Sequence, residues 1–149
     1  MFLLDTNHCF RIVARDAALL ARLGEFMTER VVTSVIVAGE LRYGASISQR
    51  KDENLAAVDR FLDGIALVPI TPAIATRYGS LKAALLAEFG PRERAKRRDF
   101  DLSNLGFGDN DLWIAASALD RDATLVSADP DFRRMTSAVD LKVDDWTRG

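Results

Sequence analysis

Met1-Phe2-Leu3-Leu4-Asp5-Thr6-Asn7 opens the chain, and the fold can be read outward from these seven residues. Phe2, Leu3 and Leu4 form an apolar run with no polar face, as in a strand covered on both sides. Asp5 ends the run. Thr6 and Asn7 are helix-capping residue types and predict a mixed helix to about Ala14. A strand that hands over to a helix recurs along the chain. Asp16 predicts the cap of a second helix over 16–29, with Leu19, Leu20, Leu23 and Phe26 on one stripe. Val31-Val32-Thr33 is a β-branched strand, and Ser34 caps a helix to about Ser46.

Residues 52–63 read as an amphipathic helix with Leu55, Val58, Phe61 and Leu62 inward. Ala66 to Ile70 reads as a strand. A long helix follows from about Pro72 to Glu88 and ends at Gly90-Pro91. The next stretch differs in composition. Residues 92–98, RERAKRR, hold five basic residues and one acid, and DFDLSNLGFG at 99–108 reads as a loop. Asp109 or Asn110 then caps a strongly apolar helix, LWIAASAL. Thr124 to Ser127 is a strand, DPDF a turn with a short helix or further turn after it, and Leu141-Lys142-Val143 a last edge strand. Alternating strands and helices imply an α/β sandwich around a mainly parallel sheet. A length of 149 residues fits one domain over 1–149.

Composition narrows the chemistry. Hydrophobic residues make up 48% and charged residues 28%, which excludes a disordered or fibrous chain. The net charge of −2 argues against a polybasic nucleic-acid tail. A single cysteine, Cys9, excludes an internal disulfide framework, and a single histidine, His8, excludes sites built on several histidines. No apolar run suggests a membrane span or a signal peptide, so the cytosol is the expected location. Carboxylates, hydroxyls and arginines remain.

Four acids stand out by position. Asp5 and Asp129 follow predicted strands, where parallel α/β sheets form ligand sites; both could equally begin turns, where Asp is common. Glu40 shares a helix face with Ile36, Val37 and Tyr43, which points it inward, where a charge calls for a partner; a wet edge position or an ion pair with an arginine is the structural alternative. Asp111 shares its face with Ile114, Ala115 and Ala118, although a first-turn acid also suits the helix dipole. Clustered carboxylates repel, so a cation among them is expected. Mg²⁺ takes one or two carboxylates and keeps several waters, which needs neither His nor Cys. Thr6 and Ser127 could add hydroxyl hydrogen bonds, or serve only as cap and strand end. Trp113 and Tyr43 read as packing residues, His8 as a polar filler and Cys9 as a small buried hydrophobe.

Taken in order, LLDTN at 3–7, AGELRYG at 38–44, NDLWIAA at 110–116 and LVSADPDF at 125–132 resemble the PIN domain, more narrowly the VapC-type toxins of VapBC toxin–antitoxin systems. The resemblance spans nearly the whole chain. It implies a three-layer α/β/α fold and an endoribonuclease dependent on Mg²⁺ or Mn²⁺, leaving a 5′-phosphate and a 3′-hydroxyl. Its acids carry over onto Asp5, Glu40, Asp111 and Asp129 as catalytic and metal-binding residues. Asn7, Ser127 and Asp131 fall on supporting polar positions, with capping of the helix after the turn an equal role for Asp131. It further implies a toxin homodimer and a cognate VapB-type antitoxin that covers the acidic pocket. The amphipathic helices at 16–29 and 52–63 would flank a groove for it, or simply pack on the sheet. The segment from Gly90 to Gly108 is longer and more basic than the family leads one to expect. Arg92, Arg94, Lys96, Arg97 and Arg98 are therefore candidates for RNA phosphate contact, against an ordinary solvated helix end with a Glu93–Arg97 pair.

Rival readings are a haloacid-dehalogenase-like phosphatase, a PIN nuclease outside a toxin–antitoxin system, and a non-catalytic binding domain. The first wants a second Asp where this chain has Asn7. The last should have lost its metal ligands, and all four acids are present.

Overall fold

The computed structural model describes residues 1–26 and 30–148. The end of the helix predicted over 16–29 therefore lies outside the described residues. Five strands form one sheet: β1 (Phe2–Leu4), β2 (Val31–Ser34), β3 (Ala66–Val68), β4 (Thr124–Val126) and β5 (Val143–Asp144). Their order is β3-β2-β1-β4-β5 and every pairing is parallel, so "mainly parallel" sharpens to wholly parallel.

The helices between strands are α1 (Thr6–Val13), α2 (Ala17–Glu25), α3 (Val35–Ser46), α4 (Lys51–Asp63), α5 (Pro72–Phe89), α6 (Arg94–Arg97), α7 (Asp109–Asp120) and α8 (Pro130–Met135), with a 3-10 turn at Leu102–Leu105. From β1 the chain steps outward to β2 and β3, then jumps back across β1 to β4 and on to β5. Right-handed crossovers put α1 to α4 on one face and α5 and α7 on the other, giving three layers. The reversal at β1 opens a crevice at the carboxyl ends of β1 and β4, the place where open α/β sheets bind ligands.

Central strands are covered on both faces, which explains their unbroken apolar character. Leu3, Leu4, Leu125 and Val126 are all wholly buried, each contributing ~1.5–3 kcal/mol of transfer free energy. Helix α7 is apolar nearly all round because it lies between the sheet and α5, with Leu112, Ile114, Ala115, Ala116 and Ala118 buried.

Local predictions hold with shifts of a residue or two, and some need correcting. The cap of α7 is Gly108, with no side-chain cap bond, rather than Asp109 or Asn110; both side chains are engaged elsewhere. Asp129, not Asp131, caps α8. The loop at 99–108 contains a 3-10 turn closed by Gly106 at φ +94°, a conformation suited to glycine. The last strand is two residues long and begins at Val143. Leu20 on the α2 stripe and Tyr43 are exposed rather than packed, Tyr43 to 68%. Trp113 is only half-buried and stacks on Tyr78, ring centroids 3.9 Å apart. Among the described residues, no helix is long and apolar enough to cross a membrane.

Candidate functional site

Sheet register brings the first two acids together. Leu4 pairs with Val126, and the Asp5 amide donates to the Val126 carbonyl at 3.1 Å. One residue past each strand, Asp5 and Ser127 therefore stand side by side, and the Ser127 hydroxyl donates to Asp5 Oδ2. Asp5 is also the cap of α1, its Oδ1 accepting from the His8 amide at 2.7 Å. Ser127 Oγ in turn accepts from the Asp129 amide at 3.0 Å, and Asp129 Oδ1 accepts from the Asp131 amide at 2.8 Å. The turn Ser127-Ala128-Asp129 is thus folded around its own hydroxyl and delivers a second carboxylate beside Asp5.

Glu40 reaches the site from α3. Its Oε2 accepts from the Thr6 hydroxyl and its Oε1 from the Asn110 amide group at 2.8 Å. Its hydrogen-bond partners are thus two neutral donors from α1 and α7 rather than an arginine. Asp111 stands one residue beyond Asn110, in the first turn of α7. A Cβ on Gly108 would lie 3.0 Å from Asp111 Oδ2, so glycine there lets the backbone come close to the carboxylate.

Electrostatics tie the cluster together. Burial, and then the negative charges of Asp129, Glu40, Asp131 and Asp5 in that order, together raise the Asp111 carboxyl to about 6. No cationic side chain enters that balance. An all-oxygen anionic pocket short of positive charge fits a hard divalent cation. Among the described residues, no three His, Cys, Asp or Glu side chains already close into a ligand set. Asp5, Glu40 and Asp129 are instead each engaged in hydrogen bonds to protein donors.

Asp131 is drawn aside. Arg134 Nη1 donates to its Oδ1 at 2.7 Å and to the Leu105 carbonyl at 2.7 Å, while the guanidinium lies over the Phe107 ring at 4.5 Å. This arrangement pins the 3-10 turn against α8. Asn7 is exposed on α1. Arg92, Arg94, Lys96 and Arg98 are exposed, whereas Arg97 is half-buried and donates to the Pro91 carbonyl at 2.7 Å. Glu93 pairs with Lys96 at 3.0 Å, not with Arg97.

Two site residues escaped the sequence reading. Asn110 looked like a helix cap; its place just before an inward acid was the available signal. His8 looked like a filler, yet its Nδ1 lies 3.0 Å from Asp5 Oδ1, as the spacing from a capping Asp to the third helical residue allows. Beyond the carboxylates, a cleft of about 470 Å³ opens along Val35, Ile36, Gly39, Glu40, Tyr43 and Asn110.

The PIN domain family model matches residues 2–137. Ribonuclease VapC2 of Haemophilus influenzae is 28% identical over 148 residues, covering 97% of each chain. The tRNA(fMet)-specific endonuclease VapC of Shigella flexneri is 29% identical over 148 residues, covering 98% of each. Among solved structures, VapBC2 from Rickettsia felis, bound to a DNA fragment from their promoter, contains a chain that superposes with a TM-score of 0.77 at 26% identity, covering 97% of this chain and 98% of that one.

Proposed function

The chain belongs to the PIN-domain family, and from that premise we propose that it is a divalent-metal-dependent endoribonuclease serving as the toxin of a VapBC-type pair. The observation that carries this reading is the convergence of Asp5, Glu40, Asp111 and Asp129, with the Asp111 carboxyl raised to about 6 partly by its acidic neighbours. Bound Mg²⁺ or Mn²⁺ supplies acidity for a water and neutralises charge developing on a phosphodiester. Asp5 and Asp111 would hold the cation, with Asp129 beside them. Glu40 faces the open cleft, steadied by Thr6 and Asn110, and takes the proton of the attacking water.

RNA must approach an acidic pocket, so positive charge has to lie beside it. Residues 92–98 lead into Gly106, Phe107 and Gly108, which border Asp111 and Asp131, and Arg92, Arg94, Lys96 and Arg98 present exposed cations. The homologues named VapC and the VapBC structures support an RNA substrate and an antitoxin partner. Two hollows suit an amphipathic helix of that antitoxin: one of about 340 Å³ between α1, α3 and α4, lined by Phe10, Val13 and Val58, the other of about 450 Å³ between α1, α2 and α4, lined by Ile12, Leu20 and Phe61. A toxin homodimer belongs to the same proposal.

The test is product chemistry. RNA incubated with the chain in Mg²⁺ should yield 5′-phosphate and 3′-hydroxyl ends, degraded by a 5′-phosphate-dependent exonuclease. Cyclic 2′,3′-phosphate ends would mean that the RNA's own 2′-hydroxyl, not a water, is the nucleophile, and would overturn the mechanism.

A further inference from the structure

Behind the carboxylate cluster lies a buried polar chain that the proposed chemistry does not use. His8 is 1% exposed and Asp145 5%. The His8 ring lies between two carboxylates, with Nδ1 3.0 Å from Asp5 Oδ1 and Nε2 3.8 Å from Asp145 Oδ1. Asp145 is itself fixed. Its Oδ1 accepts from the Thr147 amide at 2.9 Å and hydroxyl at 2.6 Å, and its Oδ2 pairs with Arg148 Nε at 3.0 Å. Trp146 between them is buried, with its ring stacked on Phe26 and edge-on to Phe2. Asp145 to Arg148 lie past the residues 2–137 that the family model matches.

Counting acceptor sites shows what the chain does. A carboxylate offers about four lone-pair sites on two oxygens. Asp5 Oδ1 accepts from the His8 amide, and the His8 ring fills its second site when Nδ1 carries the proton. Oδ2 receives the Ser127 hydroxyl. One site remains free, and it is on Oδ2. Without the ring, Oδ1 would also have a free site, and the carboxylate could present either oxygen.

We propose that His8, packed against Asp145 of the C-terminal segment, is a positioning residue that makes Oδ2 the one Asp5 oxygen available to a cation. This rests on the metal-dependent reading above. The Nδ1–H group donates to Oδ1; Nε2 makes no hydrogen bond and lies 3.8 Å from the Asp145 carboxylate. Outer partners of this kind are typically worth 10–100-fold in metal affinity or activity.

His8 is the sole histidine, so its ¹⁵N ring signals are unambiguous. Wild type should show a proton on Nδ1 in metal-free protein, and Asp145→Asn should shift or broaden the ring signals. Manganese binding, followed by the loss of free Mn²⁺ signal in electron paramagnetic resonance, should weaken by about 10-fold or more in His8→Leu. His8→Asn, whose amide N–H can occupy the Nδ1 position, should restore most of that loss, although it fills no more of the ring's volume than Leu. Melting temperatures of both variants separate packing from positioning. A bare Nδ1 in wild type, or His8→Leu and His8→Asn losing Mn²⁺ equally in step with their melting temperatures, would overturn the inference. If wild type binds no Mn²⁺ and cuts no RNA, the functional reading fails instead, and the Nδ1 signal with its response to Asp145→Asn still decides whether the ring orients Asp5.

Discussion

Asp111 carries the clearest conflict between stability and function. Its carboxyl is raised to about 6, first by burial and then by four acidic neighbours. A carboxyl raised in the folded state binds its proton more tightly there than in the unfolded chain. Its ionisation therefore works against folding above about pH 6, and that penalty is relieved as pH falls from about 6 toward the ordinary value of 3.8. Metal-free Asp111→Asn protein should melt higher than wild type at pH 7.5 and lose that difference near pH 4, while cutting no RNA. A melting temperature at or below wild type at pH 7.5 would mean that the cluster is not electrostatically strained. Position along the strands and helices made Asp5, Glu40, Asp111 and Asp129 legible in the sequence, because each breaks an apolar pattern. Asn110 and His8 were not legible, because a polar residue in a first helical turn has a sufficient local explanation in capping. Only the packing of α3 beside α7 shows that Asn110 reaches Glu40, whereas His8 meets Asp5 locally, three residues on.

At the scale of elements, the segment between α5 and α7 divides into a structural part and an exposed part. Arg97 holds the Pro91 carbonyl, and Arg134 ties Asp131 to the 3-10 turn. Charge reversal at Arg94 and Arg98 together should weaken RNA binding and flatten its salt dependence, since each lost phosphate contact removes released counterions, with the melting temperature unchanged. An unchanged salt slope would take α6 out of the interface. Gly106 sits at φ +94° with Asp131 Oδ2 3.1 Å from where a Cβ would stand. Gly106→Ala should therefore destabilise by roughly 1–2 kcal/mol, the usual cost of a left-handed residue with a side chain, measured by urea unfolding. Sequence composition marked 91–108 as unlike its surroundings but could not show that its end packs against α8, because that contact depends on Arg134, far along the chain.

The whole molecule is organised by one topological event, the reversal at β1 that leaves a crevice between β1 and β4. Strand and helix alternation made the α/β class readable from periodicity alone; the strand order is a long-range property, and hydropathy does not encode which strands become neighbours. The hollow that Leu20 lines with α1 and α4 lies on the face occupied by α1 to α4, so Leu20→Glu, at an exposed position, should weaken capture by the antitoxin while leaving RNA cleavage intact. Loss of both together would show that the substitution disturbs the fold rather than the docking surface.

The central claim is that the crevice acids hold a cation that RNA cleavage requires. Cleavage rate should be measured on metal-stripped protein as Mg²⁺ is added back, for wild type and Asp5→Asn in parallel. Wild type should be inactive in EDTA and recover in a saturable way, and Asp5→Asn should stay inactive at every Mg²⁺ concentration while retaining its fold by circular dichroism. Cleavage by wild type in EDTA, or by Asp5→Asn at the wild-type rate, would contradict the account.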